Sequence, residues 1–131
     1  MPGFDLHTHS TVSDGTLDPE QVVELATTRD LTGIALTDHD SVGGVERARA
    51  AAAGTGLEVL LGCELSADHD GNPVHVLGYG FDPTERAFAA KRAWIHEGRV
   101  SRARRMVARL RALGAPVAFD RVVELAGGGA I

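Results

Sequence analysis

The segment Phe4-Asp5-Leu6-His7-Thr8-His9-Ser10 constrains the fold more than any other part of the chain. Phe4 and Leu6 alternate with Asp5, His7 and His9, the period-2 pattern of a strand with one buried apolar face. Side chains two apart on a strand point the same way, so both imidazoles aim at one point in space. Neutral imidazole suits zinc, iron or manganese, and two of them on one rigid strand make half a metal site.

Four further clusters carry metal-type ligands beside short apolar runs. Asp14 lies in the turn Ser13-Asp14-Gly15, just past the first strand. His39 sits in Thr37-Asp38-His39-Asp40, directly after Gly33-Ile34-Ala35-Leu36. Glu64 follows Val59-Leu60-Leu61-Gly62-Cys63, and His75 lies between Val74 and Val76 in a run that reaches Phe81. The C-terminal ends of parallel strands are where α/β proteins place their chemistry. Taken together, the positions predict a joint metal site.

At 131 residues, 44% of them hydrophobic, the chain has the length of one domain and enough apolar side chains for a core. It shows neither a signal-peptide pattern nor an apolar run long enough for a membrane span. The single cysteine, Cys63, excludes an internal disulfide framework and fits a reducing cytoplasm, with core packing as its expected role. Charge is unevenly spread. Residues 1–84 hold 14 acidic against 3 basic residues, and residues 85–131 hold 4 against 10. An acidic half can hold divalent cations and a basic half can attract polyanions; phosphate esters are substrates that want both.

Through residue 81 the pattern alternates strand and helix. Asp18-Pro19-Glu20-Gln21 predicts a helix start with an N-cap, a first-turn proline and a capping-box glutamine. A second strand is expected at 33–37 and an alanine-rich helix at 42–53. Strands at 57–65 and 73–81 follow, joined by the polar turn Asp68-His69-Asp70-Gly71-Asn72, in which His69 is a turn residue. This order implies a mostly parallel sheet with right-handed crossovers.

Beyond Asp82 the character changes. Asp82-Pro83-Thr84-Glu85 is another capping signature, and the helical segment to Leu113 contains only Gly98 as a weak point. Unbroken it would reach roughly 45 Å, so a break near Gly98 is expected. Val100, Ala103, Val107 and Leu110 form an apolar stripe widened by Met106 and Leu113, while Arg102, Arg105 and Arg109, with Arg99 one turn earlier, line another face. His96 is expected to face solvent. Asp120 is expected to cap a short helix ending at Ala126. Four strands cannot close a barrel, so the sequence reads as the front part of a larger domain.

With these residues in view, the chain resembles the PHP (polymerase and histidinol phosphatase) family, especially its small bacterial phosphoesterases. Asp5-Leu6-His7-Thr8-His9-Ser10, Ser13-Asp14-Gly15, Thr37-Asp38-His39-Asp40, Gly62-Cys63-Glu64-Leu65-Ser66 and His75 match its motifs in order. The resemblance implies an α/β fold, the N-terminal portion of a distorted (β/α)7 barrel over residues 1–84, with a basic α-helical insertion beginning at 85–131. It implies two or three divalent ions, manganese, iron or zinc. His7 and His9 would bind one, Glu64 would bridge two, His75 would join the second, and Asp14 and His39 would hold a third. The family's later Gly-Arg-Pro-His histidine and Asp-x-His pair are absent from the 131 residues, which alone are therefore expected to be inactive and open to self-association.

The implied chemistry is hydrolysis of a phosphate ester, of a nucleotide or a short oligonucleotide end, by metal-activated water, with His7, His9 and Glu64 acting through that water. Arg99 and Arg102 are candidates for a second phosphate or a nucleic-acid backbone, against the alternative of a solvated helix face. Histidinol-phosphate hydrolysis and a non-catalytic, metal-stabilised nucleic-acid binder are the rival readings. Asp38 and Asp40 flank His39: one could orient its imidazole, or Asp40 could cap the next helix. Tyr79 shares a face with His75, and core packing is its expected role over contact with substrate.

Overall fold

Asp18 begins the first helix as the sequence predicts. In the computed structural model, which describes residues 3–127, Asp18 Oδ1 accepts from the Gln21 backbone N–H at 2.9 Å, and Gln21 Oε1 accepts from the Asp18 N–H at 3.0 Å. This reciprocal cap, with Pro19 at the first position, satisfies amides that the helix itself leaves open. The chain divides after Pro83 into two units.

The first unit contains β1 (Phe4–Thr8), α1 (Pro19–Thr28), β2 (Gly33–Leu36), α2 (Val45–Ala52), β3 (Glu58–His69) and β4 (Asn72–Tyr79). The sheet order is β1-β2-β3-β4, with the first three strands parallel and β4 antiparallel to β3. Val22, Val23 and Ala26 of α1 and Val45, Ala48 and Ala52 of α2 pack on Ile34, Leu36, Val59 and Leu61. Each fully buried branched side chain of this layer contributes about 1.5–3 kcal/mol relative to exposure.

β3 and β4 form a hairpin rather than a crossover. Asp70 and Gly71 both take positive φ, 53° and 81°, the signature of a two-residue primed turn. The turn is therefore tighter than the polar run suggests, and His69 ends β3 instead of lying in the loop.

The sheet is curled. The Tyr79 hydroxyl on β4 donates to the Leu6 carbonyl on β1 at 2.8 Å. On a flat sheet these outer strands would stand about 14 Å apart, beyond a tyrosine's reach. Only a half-barrel brings them together. Gly62, paired with Tyr79, keeps the crossing clear, since a Cβ there would lie 3.4 Å from the tyrosine ring and 2.6 Å from Thr37 Cγ2. Tyr79 is thus a partly exposed tie across the concave face, not the core residue expected.

β1 also departs from strict alternation. Its register with β2 shifts between Asp5 and Thr8, and both of these residues line a groove of about 340 Å³ beside Val22 and Leu25 of α1. Phe4 and Leu6 therefore turn away from the helical layer and remain 46% and 45% exposed. The expected buried apolar face of this strand is absent because the shift resets its phase.

The second unit holds α3 (Arg86–Ala112) and α4 (Phe119–Ala126). α3 runs unbroken through Gly98, about 40 Å at 1.5 Å per residue. A single glycine costs only about 1 kcal/mol in a helix and removes no donor, which long helix-favouring flanks readily offset. Glu85 caps α3 by accepting from the Phe88 N–H at 2.8 Å. Ala118 rather than Asp120 is the N-cap of α4, with Asp120 inside its first turn. Of the expected stripe on α3, Val107 is buried, whereas Met106, Leu110 and Leu113 are exposed. Among the described residues no helix is long and apolar enough to cross a membrane.

Candidate metal centre

Of the six sequence-predicted ligands, His7, His9, His39 and His75 surround a fifth, Glu64, and Asp14 faces His9 and His39. Glu64 lies where β3 passes the end of β2: its N–H donates to the carbonyls of Thr37 and Asp38, and its carbonyl accepts from the Asp40 N–H at 2.9 Å. Thr37 in turn donates from backbone and hydroxyl to the Thr8 carbonyl, at 2.8 and 3.0 Å. The strand ends bearing His7, His39 and Glu64 are thereby stitched side by side.

Around Glu64 the imidazoles stand close. His7 Nε2 is 2.9 Å and His9 Nε2 3.0 Å from Oε2, with His39 Nε2 at 3.6 Å. His75 Nδ1 reaches the other oxygen, Oε1, at 2.8 Å. His9 Nδ1 and His39 Nε2 also face Asp14, at 3.3 and 3.7 Å. Successive ring centroids from His7 through His9 and His39 to His75 are 5.1, 4.9 and 4.7 Å apart.

Three overlapping donor groups result: His7–His9–Glu64, His9–Asp14–His39 and His39–Glu64–His75, each with its ligand atoms within 4.8 Å of one another. His9 and His39 each enter two groups, a sharing that sequence spacing alone does not reveal. Imidazole nitrogens with hard carboxylate oxygens fit a divalent first-row metal. A buried carboxylate with four imidazoles turned toward it is the donor set such ions require, so the residues fit the expected group.

The electrostatics follow from the same arrangement. Burial pushes the Glu64 carboxyl up, but the hydrogen bond from His7 and the attraction of His39, His7 and His9 outweigh it, holding the group below its ordinary value. Glu64 is ionised and ready to bind a cation. Its side chain and those of His9 and His39 form the floor, while His7 and His75 are half exposed and Asp14 is 66% exposed at the rim.

Neither aspartate beside His39 does what the sequence suggests. The N-cap of α2 is Gly44, so Asp40 caps no helix. His39 Nδ1 is buried without a hydrogen-bond partner, so neither carboxylate holds its ring. Instead Asp38 accepts from Ser10 and Ser13, and Asp40 accepts from Ser66. These serines stand within the matched motifs, within two residues of His9, Asp14 and Glu64, but nothing in the spacing marks them as partners of the two aspartates.

Cys63 is buried as expected, and His69 and His96 are exposed. Arg99 and Arg102 lie on α3 of the second unit, Arg102 exposed.

Comparison with known proteins sets this geometry in context. A family model described as the PHP domain matches residues 5–114. A 3',5'-nucleoside bisphosphate phosphatase of Chromobacterium violaceum is 47% identical over 120 residues, covering 92% of this chain and 42% of that protein. A 5'-3' exoribonuclease of Haemophilus influenzae is 36% identical over 125 residues, covering 95% and 46%. The solved structure of a candidate metal-dependent phosphoesterase from Bifidobacterium adolescentis superposes with a TM-score of 0.86 at 36% identity, covering 94% of this chain and 43% of that one. The chain spans less than half the length of the curated relatives it matches.

Proposed function

The chain belongs to the PHP domain family, and on that premise we propose that it carries the metal centre of a phosphoesterase acting on nucleotides or oligonucleotide ends. One observation carries the reading: four imidazoles surround a single buried carboxylate, Glu64. His7, His9, Asp14, His39, Glu64 and His75 are the proposed ligands of two or three divalent ions, manganese, iron or zinc. Relatives named as a nucleoside bisphosphate phosphatase and an exoribonuclease support a nucleotide-type substrate.

Divalent ions held by these residues would supply an acidified water for in-line attack on phosphorus and positive charge for the phosphoryl oxygens. Glu64 contributes fixed negative charge at the floor, where its two oxygens serve different histidines. His9 and His39, largely enclosed, fix the spacing between neighbouring donor groups. Asp14, His7 and His75 stand at the accessible rim, where an ester approaches. In this reading residues 1–84 hold these donors as the N-terminal part of a barrel, and residues 85–131 begin a basic helical insertion whose Arg99 and Arg102 bind a second phosphate as bidentate donors. We assign the protein to the cytoplasm, in keeping with its lone buried thiol. The exposed Phe4, Leu6, Trp94 and Met106 suit self-association.

The test is direct. The protein, supplied with manganese, is offered a nucleoside 3',5'-bisphosphate and a generic aryl phosphate while bound metal is measured. In a chain of the relatives' full length, phosphate release that requires metal and disappears in Glu64→Ala is expected, whereas residues 1–131 alone are expected to bind metal without turnover. Bound metal without hydrolysis of either ester in the longer chain would favour a binding module, and absence of bound metal from residues 1–131 would overturn the reading.

A further inference from the structure

The two aspartates that flank His39 make the same contact in opposite directions. Asp38 Oδ1 accepts from the Ser10 N–H at 2.7 Å, and Oδ2 accepts from the Ser10 hydroxyl at 2.7 Å. Asp40 Oδ1 accepts from the Ser66 N–H at 2.8 Å, and Oδ2 accepts from the Ser66 hydroxyl at 2.8 Å. Each carboxylate thus grips the backbone and side chain of one serine, a two-pronged, charge-assisted contact that fixes orientation as well as distance.

What each serine carries differs. Ser10 follows His9, and Asp38 Oδ1 also accepts from the Ser13 hydroxyl at 2.8 Å, next to Asp14. Asp38 and Ser10 are fully buried, so this grip is dry and every oxygen of the carboxylate is engaged. Ser66 stands two residues after Glu64 and faces His75 across the β3–β4 ladder. Asp40 holds its grip from a left-handed backbone, φ 52°, a conformation that an acidic or amide side chain tolerates and that surrounding contacts must stabilise. His39 lies between the two grips, and its Nδ1 has no partner of its own. The ring meets Asp14 and Glu64 through Nε2, at 3.7 and 3.6 Å, while no side chain holds the other nitrogen.

We propose that Asp38 and Asp40 are positioning residues that set the two halves of the metal centre separately. Asp38 aligns His9 and Asp14 with His39, and Asp40 aligns Glu64 and His75 with His39. The proposal rests on the metal-centre reading above and adds that the halves can be loosened one at a time. Carboxylates hydrogen-bonded directly to a metal ligand are worth about 10- to 100-fold in metal affinity, and a grip one residue removed is expected at the lower end.

The test is a zinc titration of the full 131-residue chain, followed residue by residue through the imidazole 15N resonances of His9 and His75. Asp38→Asn and Asp40→Asn preserve side-chain size, and asparagine also accepts the left-handed conformation at position 40. Asp38→Asn is expected to raise the zinc concentration for half-shift at His9 about tenfold while leaving the His75 midpoint in place. Asp40→Asn is expected to raise the His75 midpoint about tenfold and the His9 midpoint by less, since Glu64 Oε2 also faces His9. Backbone amide spectra of the metal-free variants report folding. If either asparagine variant is unfolded, Ser10→Ala and Ser66→Ala, which remove one prong each, decide by the same pattern on a smaller scale. Equal movement of both midpoints in both variants, or of neither, overturns the proposal while the metal-centre reading stands. Absence of any zinc-dependent shift in the wild-type chain overturns both.

Discussion

His7 Nε2 and Glu64 Oε2 stand 2.9 Å apart although 57 residues separate them in the chain. The same oxygen is 3.0 Å from His9, and the second oxygen serves His75. Glu64 therefore belongs to two of the three donor groups, with charge to offer each. Glu64→Ala is expected to lose more bound metal than His75→Ala, because it strips a carboxylate from both groups at once. Elemental analysis of the purified variants checks this, and equal metal content in wild type and Glu64→Ala would falsify it.

Two glycine-to-alanine substitutions are expected to act with opposite sign. At Gly62 a Cβ would meet Thr37 Cγ2 at 2.6 Å and the Leu36 carbonyl at 3.0 Å, against tightly held backbone. Gly62→Ala is expected to destabilise by about 1–3 kcal/mol, the usual cost of overpacking. At Gly98, inside α3, nothing lies within 4 Å, and Gly98→Ala is expected to stabilise the helix by roughly 0.5–1 kcal/mol. Urea unfolding followed by circular dichroism distinguishes the two.

Much of this framework was legible in the sequence, because it depends on local chemistry. The Asp18 cap, the helix following it, the parallel β1–β2–β3 order and the gathering of the six donors follow from capping residues and from where polar residues end apolar runs. What was not legible depends on geometry that no spacing encodes. The register shift that leaves Phe4 and Leu6 exposed, and the hydroxyl of Tyr79 reaching Leu6, arise from how strands curl once paired. The serine grips of Asp38 and Asp40 join segments 26 to 28 residues apart, and a short motif says nothing of a partner that far away.

Acid is expected to act on the metal-free chain through Glu64. Its carboxyl lies below the ordinary value because, against burial, the His7 hydrogen bond and the neighbouring imidazoles favour the ionised form. The sign is that of a depressed acid. Its contribution to stability is fully present above the unfolded-state value of about 4.3 and is lost as pH falls through the lower folded-state value. Carboxyl 13C shifts should show Glu64 titrating below the ordinary glutamate value of about 4.3, and Glu64→Gln should remove this part of the acid sensitivity. A midpoint at or above that value would contradict it.

If the basic helix reads phosphate, Arg99→Ala and Arg102→Ala are expected to raise KM for a substrate with two phosphates more than for an aryl ester with one. A lost charge-assisted hydrogen bond is worth about 1.5–3 kcal/mol, or roughly tenfold to a hundredfold. Steady-state kinetics on the two substrates supplies the comparison, and identical changes on both would return these arginines to the role of a solvated face.

The tie between Tyr79 and Leu6 has a bearing on the order of events during synthesis. It joins the first strand of the sheet to the last across 73 residues, and such a distant closure is among the slowest contacts for a chain to find. Every one of the six donors has been made by residue 75, just before this closure becomes available. Ions captured by His7–His9–Glu64 and by His39–Glu64–His75, which share Glu64, would together hold the same two edges. For a nascent chain, ions held in this way would serve as a template for the curl, and a shortage of them would be felt first as slow folding.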